Sequence, residues 1–229
     1  LTGLGNMRQF RLDLARYRKH HLAHHAFTGT ARDLDLCLVE PFFTTRGALA
    51  RKLLRDVLGV SGVKRVLATL AMDLEIITYT ASGGARRVRE REPGRARRAM
   101  ARIAPFVISN APLFGVLAAL GQAWLYAIWL GAFLTTFRLI LRIRAIAEHA
   151  CTDASDDLFR STRTTRAGLL ARLTVAPHAV NHHLEHHLLV TVPFFRLPRF
   201  HALLRERGAL EGAHVEPGYL AALARAVRS

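Results

Sequence analysis

Two short stretches of the chain concentrate histidine: HHLAHH at residues 20–25 and NHHLEHH at residues 181–187. Each contains the spacing H-x-x-H-H. On an α-helix, positions i, i+3 and i+4 share one face, so three imidazoles with this spacing can point to one place. Neutral imidazole is a ligand of iron, copper and zinc. Two copies of the pattern therefore predict a metal site built from both stretches. The histidines with this spacing are His21, His24 and His25 in the first stretch and His183, His186 and His187 in the second.

Spacing alone does not fix which histidines bind metal. His20 also lies four residues before His24, and His182 lies four residues before His186. His178 lies one further turn before His182. Geometry alone therefore allows a second register, that is, a ligand set that uses these histidines instead.

Three histidines lie outside the two stretches and their flanks. His149 follows a long apolar stretch by a few residues, and we expect it to be a further ligand. His201 and His214 lie in a polar tail and receive no role.

The number of imidazoles bears on the number of ions. Six or seven imidazoles exceed the four ligands that close around one zinc ion, so the sequence predicts two ions. A histidine-rich pair with open positions favours iron and oxygen activation over hydrolysis, which would need carboxylate ligands or a general base. Glu148 and Glu185 adjoin these histidines. We expect them to orient imidazole rings or to form ion pairs with arginines.

The elements that must position the histidines begin with an apolar stretch. No charged residue occurs from Ile103 to Phe137. As one helix this stretch would be about 52 Å long, whereas the hydrocarbon core of a bilayer is about 30 Å thick. A transmembrane hairpin that turns near Leu120-Gly121-Gln122 fits better. Each arm is slightly short unless it borrows residues from its flanks.

Basic residues flank this hairpin on both sides. The run RRVREREPGRARRAMAR occupies residues 86–102, and Arg138, Arg142 and Arg144 follow the apolar stretch. Basic flanks mark the cytoplasmic side of a membrane protein. We therefore predict one domain over residues 1–229, in which both histidine stretches lie on the cytoplasmic side. Its parts are a cytoplasmic region at 1–102, the hairpin at 103–141 and a second cytoplasmic region at 142–229.

Other parts of the chain give weaker indications. Residues 1–30 predict a basic helix that ends near Thr28-Gly29-Thr30, and residues 46–82 have near-helical spacing, with Val66–Tyr79 as an interfacial or packed helix. The formal charge of +16 over 229 residues indicates nucleic acid or an anionic membrane surface as a partner, and the uncharged stretch favours the membrane. Cys37 and Cys151 are too few for a disulfide framework and predict reduced thiols.

Several of these motifs resemble the membrane fatty acid desaturase family. The segments are RYRKHHLAHH, IRAIAEHA and NHHLEHHLLVTVPFFRLPRFH, and STRTTRAGLL resembles the connecting segment of bacterial members. The family pattern N-x-H-L-E-H-H-L-F-P-x-V-P-x-x-x-L-P-x-x-H is the most specific. The chain matches it at Asn181, His183, Leu184, Glu185, His186, His187, Leu188, Val192, Pro193, Leu197, Pro198 and His201.

The resemblance implies an all-α integral membrane protein, with a transmembrane helical anchor and a cytoplasmic helical cap that holds two iron ions. Such enzymes use molecular oxygen and a ferredoxin or cytochrome-type electron donor to desaturate a fatty acyl chain, carried as acyl-lipid or acyl-CoA. Nucleic acid is not among the implied partners. Matching motifs also settle the register of the ligands. They are His21, His24, His25, His149, His183, His186 and His187.

The chain departs from the family at several points. It lacks the earlier box H-x(3 or 4)-H and the hairpin that accompanies it, because no histidine precedes His20. In RDLDL, Leu34 replaces the proline of a family motif D-P-D, and Val190 stands where proline is usual. We therefore expect an N-terminally incomplete fragment that is inactive by itself.

Three other functions compete with desaturation. A hydroxylase or ketolase of carotenoids, sterols or sphingolipids would use the same iron ligands. A non-enzymatic metal-binding remnant would keep the histidines and lack turnover. A nucleic-acid binder would be soluble and would bind in a salt-dependent manner.

Overall fold

The structure is a computed structural model that describes residues 14–33, 35, 42–79, 85–88, 92–153 and 155–227. The described residues are mostly helical, with four short strands. The helices are α1 (Leu14–Phe27), α2 (Arg46–Val57), α3 (Val60–Asp73), α4 (Arg95–Ala119), α5 (Ala123–Leu134), α6 (Thr136–His149), α7 (Leu158–Ser161), α8 (Leu169–Leu173), α9 (His183–Leu188), α10 (Leu197–Glu206) and α11 (Tyr219–Arg225). The strands are β1 (Ile77–Tyr79), β2 (Ala85–Arg87), β3 (Arg163–Thr165) and β4 (His214–Glu216), and 3₁₀ turns occur at Pro177–Ala179 and Phe194–Arg196.

The chain divides into two compact units. The first comprises residues 1–22 and 54–138, and the second comprises residues 23–53 and 139–229. The division falls inside α1, α2 and α6, so each unit is built from segments distant in sequence.

Helices α4 and α5 of the first unit form the predicted hairpin. The chain turns between Ala119 and Ala123, where Gly121 has a φ of 68°, a value that favours glycine. The buried Asn110 links the two helices, because its side-chain oxygen accepts a hydrogen bond from the Tyr126 hydroxyl at 3.1 Å. The turn thus lies where the sequence analysis predicts it.

Two helical runs among the described residues are long and apolar enough to cross a membrane. They are Arg95–Ala119, with 25 residues, and Ala123–His149, with 27 residues. At 1.5 Å per residue they measure about 38 and 40 Å, against about 30 Å for a hydrocarbon core. The arms therefore do borrow residues from both basic flanks, and their large apolar side chains, such as Ile108 and Trp124, are exposed. The prediction of an all-α membrane fold is confirmed.

Helix α3 packs on α5 through a glycine. A Cβ atom at Gly62 would lie 2.1 Å from the carbonyl oxygen of Leu134, so only glycine permits this approach. After α3 the chain is held to α4 by Glu75, whose carboxylate accepts two hydrogen bonds of 2.8 Å from Arg98 and lies 3.0 Å from Arg102. Two arginines of the basic run at residues 86–102 therefore lie in the first turns of α4 and form an ion-pair cluster with Glu75.

The second unit has a small apolar core and a parallel strand pair. The core comprises Leu49, Ile146, Ala150 and Ala226. Strand β3 pairs with β4 in parallel, and all three of its residues are buried. Asn181 joins this pair to the start of α9, because its side chain donates to the carbonyl of Thr165 at 3.0 Å.

Several predictions about single segments are wrong in detail. The predicted continuous helix over Val66–Tyr79 ends at Asp73, and residues 77–79 form strand β1, which pairs with β2 in antiparallel fashion. Glu75 has a φ of 53°, which an α-helix cannot contain. The near-helical stretch also breaks at Gly59, with a φ of 76°. The first part of the predicted helix over residues 1–30, as well as Leu34 and Cys37, lies outside the described residues, and Cys151 is a free thiol.

Candidate metal centre

Helix α1 carries the first histidine pattern. Its last turn places His24 and His25 beside each other, and the helix ends at Phe27 before the turn at Gly29. A Cβ at Gly29 would lie 2.2 Å from the Ser155 carbonyl oxygen, so glycine lets the end of α1 approach the segment before α7 closely. His24 is buried, with 4% exposure.

Four histidines from three helices meet in the second unit. One ring nitrogen from each lies within 4.8 Å of the others. Nε2 of His183 lies 2.7 Å from Nε2 of His149 and 3.0 Å from Nε2 of His187. Neutral ring nitrogens that face each other with lone pairs repel, so such contacts need a shared proton or a cation between them. The members of this four-histidine cluster are His24, His149, His183 and His187.

A second close pair adjoins the cluster. Nε2 of His25 lies 3.1 Å from Nε2 of His186, and the His25 ring stacks on the ring of His187 with centroids 4.0 Å apart. His21 lies one turn before His25 on α1, and the helical repeat places both on the same face. The structure therefore brings together six of the predicted ligands in the second unit. The seventh, His21, lies on the helix that carries His24 and His25.

The second register that spacing left open is not the one that faces the cluster. His178 lies in a 3₁₀ turn with a φ of 56° and does not continue α9, so it cannot stack one helical turn before His182. His182 precedes the first residue of α9 and contacts the ring of His201 instead, with centroids 5.1 Å apart. His20 is exposed on α1.

Hydrogen bonds at Nδ1, the ring nitrogen that faces away from the cluster, orient two rings of the four-histidine cluster. Nδ1 of His24 donates to Oδ1 of the buried Asp33 at 2.7 Å. The Thr28 hydroxyl donates to the His24 carbonyl at 2.6 Å, which leaves its oxygen to accept from Nδ1 of His187 at 3.2 Å. Both rings thus carry their proton on Nδ1 and present the lone pair of Nε2 to the cluster.

Sequence reasoning gave Asp33 and Thr28 no role. The resemblance of RDLDL to a family motif was the available signal for Asp33. Thr28 contacts a residue 159 positions away, and only the fold reveals that contact.

The two glutamates predicted to orient rings differ from each other. Glu148 accepts from Arg144 at 3.1 Å, and its Oε1 lies 3.9 Å from Nδ1 of His183, so it faces a ring of the cluster. Glu185 is fully buried and faces away from the cluster, because its carboxylate contacts Thr164 and His201. His201, which the sequence left without a role, therefore has a specific partner.

Burial keeps the histidines of α9 neutral. It lowers the pKa of His183 well below the ordinary value of 6.5, and the neighbouring imidazoles of His187 and His149 lower it further. Burial likewise lowers the pKa of His187, and that of His186 to a smaller extent. A metal ion binds the neutral ring, so these rings are in their ligand form at neutral pH.

A buried arginine holds the end of the helix that carries His149. The guanidinium of Arg163 has no exposed surface and donates to the carbonyls of Ile146 and Ala147 at 3.4 Å and of Cys151 at 3.2 Å. The carbonyls of Ile146 and Ala147 lie in the last turn of α6, and that of Cys151 follows the helix. A cation there also suits the helix dipole, so Arg163 fixes the position of His149.

Residues 7–218 match the family described as Fatty acid desaturase. The chain belongs to the fatty acid desaturase family. No curated protein matches the chain.

Membership of the fatty acid desaturase family gives the histidines a context. The family is one of oxidoreductases that act on lipids in a membrane setting, and its members usually bind two iron ions. The two apolar helical runs agree with a membrane protein. The histidine groups are of a kind that could hold metal.

Proposed function

We propose that this protein desaturates a fatty acyl chain, carried as acyl-lipid or acyl-CoA, at a centre of two histidine-bound iron ions with molecular oxygen as co-substrate. The observation that carries the proposal is the convergence of His24, His149, His183 and His187, drawn from three helices, on one point.

The residues present fit two iron ions. The four-histidine cluster supplies four ring nitrogens, and His25 and His186 adjoin it with a second pair at 3.1 Å. Neither set includes a carboxylate, in keeping with a nitrogen-rich pair of metal ions. His21 joins His25 through its spacing of four residues on α1. The proposed ligands are His21, His24, His25, His149, His183, His186 and His187.

The chemistry divides between the metal and the protein. When bound, iron supplies the oxidation of an unactivated C–H bond by oxygen, for which no amino-acid side chain is strong enough. Asp33 and Thr28 hold the rings of His24 and His187 in the tautomer that binds metal. Burial of His183 and His187 keeps water from their ring nitrogens.

The apolar helices give a reason for a lipid substrate. An acyl chain that stays in the bilayer reaches an enzyme most directly at the membrane face, and α4 and α5 expose apolar side chains suited to lipid. The basic residues that flank both arms support a cytoplasmic catalytic face. A ferredoxin or cytochrome-type protein would supply electrons from that side.

Expression of the whole reading frame in a host with defined lipids tests the proposal. Mass spectrometry is expected to find acyl chains lighter by two hydrogens, together with about two irons per chain in the purified protein. His186→Ala is expected to abolish the new double bonds. His214→Gln, which removes a histidine outside the candidate centre, is the matched control and is expected to keep them.

Other products would contradict desaturation. New hydroxyl groups without double bonds would assign the protein to the hydroxylases. A protein without iron, or a His186→Ala variant with unchanged lipid oxidation, would refute the iron centre. The same assay, applied to the 229 residues alone, tests the prediction that they are inactive by themselves.

A further inference from the structure

Helix α9 carries a second set of metal-type donors, on a face that the iron ligands do not use. At about 100° per residue, His183, His186 and His187 share one face of the helix, whereas Glu185 points to the other side. His182 precedes the first helical residue, and its non-helical backbone turns its ring to the ring of His201, with centroids 5.1 Å apart. His201 approaches that other side from α10. One donor atom from each of His182, Glu185 and His201 lies within 4.8 Å of the others.

We propose that His182, Glu185 and His201 form a third metal site, which binds one zinc-class divalent cation and ties α9 to α10. Two imidazole nitrogens and one carboxylate oxygen are a donor set that zinc takes in proteins, with water as the fourth ligand. The site is distinct from the four-histidine cluster, because it shares no residue with it.

The charge of Glu185 is the first argument. Its side chain is fully buried, and among the described residues it forms no ion pair with arginine or lysine. It accepts from the Thr164 hydroxyl at 2.5 Å, and His201 Nδ1 lies 2.5 Å from its other oxygen. A buried carboxylate needs a neutralising cation as well as hydrogen bonds, and a metal ion shared with two imidazoles supplies it.

His182 is the second, independent argument. Its Nδ1 is buried and has no hydrogen-bond partner among the described residues. It points toward Glu185, with Nδ1 3.8 Å from Oε2. Two donors of one tetrahedral zinc ion lie about 3.4 Å apart, given zinc–ligand distances of about 2.1 Å. A buried imidazole nitrogen that makes no hydrogen bond and lies near this distance from a carboxylate is placed as a ligand.

The position of the site gives the ion a structural task. His182 and Glu185 lie at the start of α9, whereas His201 lies in α10, which begins at Leu197 with Pro198 in its first turn. The intervening chain has only a 3₁₀ turn at 194–196. A metal bridge between the two helices fixes the rotation of α9 about its axis, and with it the direction of the histidines on the opposite face.

Zinc titration of the iron-loaded protein, expressed with its whole reading frame and purified in detergent, tests the site. After desalting, elemental analysis is expected to find one zinc per chain, with the iron content unchanged. His182→Ala and His201→Ala are each expected to weaken zinc binding by at least about tenfold while iron is retained. The control is His178→Asn, because asparagine tolerates the backbone φ of 56° at that position.

His182→Ala is the decisive variant. A network of hydrogen bonds through Thr164, Glu185 and His201 does not include His182, so a network alone would leave zinc binding unaffected by this change. The proposal would be overturned if His182→Ala bound zinc as tightly as the wild type. It would also be overturned if the iron-loaded wild type bound no zinc. If His182→Ala fails to fold, His182→Gln provides the same comparison.

Iron counted in the same samples separates this proposal from the iron centre. Zinc that enters the iron ligands would displace iron and would not respond to His182→Ala, which would refute the third site. If the protein contains no iron but still binds zinc, and this zinc binding is lost in His182→Ala, the iron centre is refuted and the third site is supported.

Discussion

Replacement of Asp33 by asparagine should weaken iron binding without removing any ligand. Asp33 is buried, and its Oδ1 accepts a hydrogen bond of 2.7 Å from Nδ1 of His24. Asparagine keeps the size of the side chain and removes its charge. The bond to His24 then becomes a neutral one, and the ring loses both basicity and orientation.

The magnitude follows from the type of bond. A buried hydrogen bond to a charged group contributes about 1.5–3 kcal/mol and a neutral one about 0.5–1.5 kcal/mol, so the change removes about 1–1.5 kcal/mol. Because about 1.4 kcal/mol corresponds to a tenfold change in a dissociation constant, we expect Asp33→Asn to raise the dissociation constant of iron by about 5- to 12-fold, near the lower end of the cost of altering partners of metal-bound histidines in general.

Competition with a coloured chelator, read by absorbance, measures this change in the purified protein. Asp35→Asn is the matched control, because Oδ2 of Asp35 lies 3.9 Å from the same nitrogen and is too distant for a hydrogen bond. We expect that control to stay within about threefold of wild type, since Asp35 does not hold the ring by a hydrogen bond and its side chain is partly exposed to water. Equal effects of the two changes, or wild-type affinity in Asp33→Asn, would refute the proposed role of the Asp33 hydrogen bond.

Three further predictions concern stability, measured as thermal midpoints in detergent. Gly62→Ala should lower the free energy of unfolding by about 1–3 kcal/mol, because the new Cβ would meet a backbone oxygen of the neighbouring helix at 2.1 Å. Gly131→Ala, whose new Cβ would have no atom within 4 Å, should raise it by about 0.5–1 kcal/mol. Arg163→Ala should lower the free energy of unfolding by about 3–5 kcal/mol, because it removes a fully buried guanidinium together with its hydrogen bonds to three backbone carbonyls. Arg160→Ala breaks a largely exposed ion pair and should lower it by less than about 1 kcal/mol. In the metal-free protein, the two α9 histidines of the four-histidine cluster have a lowered pKa, so the unfolded chain binds more protons below pH 6.5 and stability is lost as the pH falls. Each should contribute a loss of about 1.4 kcal/mol between pH 7.5 and 5.5, and a midpoint that stays constant or rises toward acid would contradict this.

Local patterns in the sequence predict the parts of the fold that depend on neighbouring residues. The spacing H-x-x-H-H predicts helices, and both patterns lie on helices, α1 and α9. The uncharged stretch predicts a hairpin, and Gly121 lies in its turn. These features follow from helical periodicity and from the conformational freedom of glycine, which need no tertiary information.

Contacts between distant segments account for what the sequence could not predict. The strand at residues 77–79 continues an apolar pattern that also suits a helix, and only the left-handed conformation of Glu75 separates the two. Arg163 looks like one more basic residue in an arginine-rich chain, yet it is fully buried under the end of α6. The partners of Glu185 are likewise 16 and 21 residues away, and spacing carries no information about them.

The division of neighbouring histidines between the two groups has a consequence for metal loading. His24 and His187 belong to the four-histidine cluster, whereas their sequence neighbours His25 and His186 form the adjoining pair. An ion in either place would immobilise both helices, so a second ion would find its donors already aligned. Under iron starvation the population would then separate into doubly filled and empty molecules, and half-filled molecules would stay scarce.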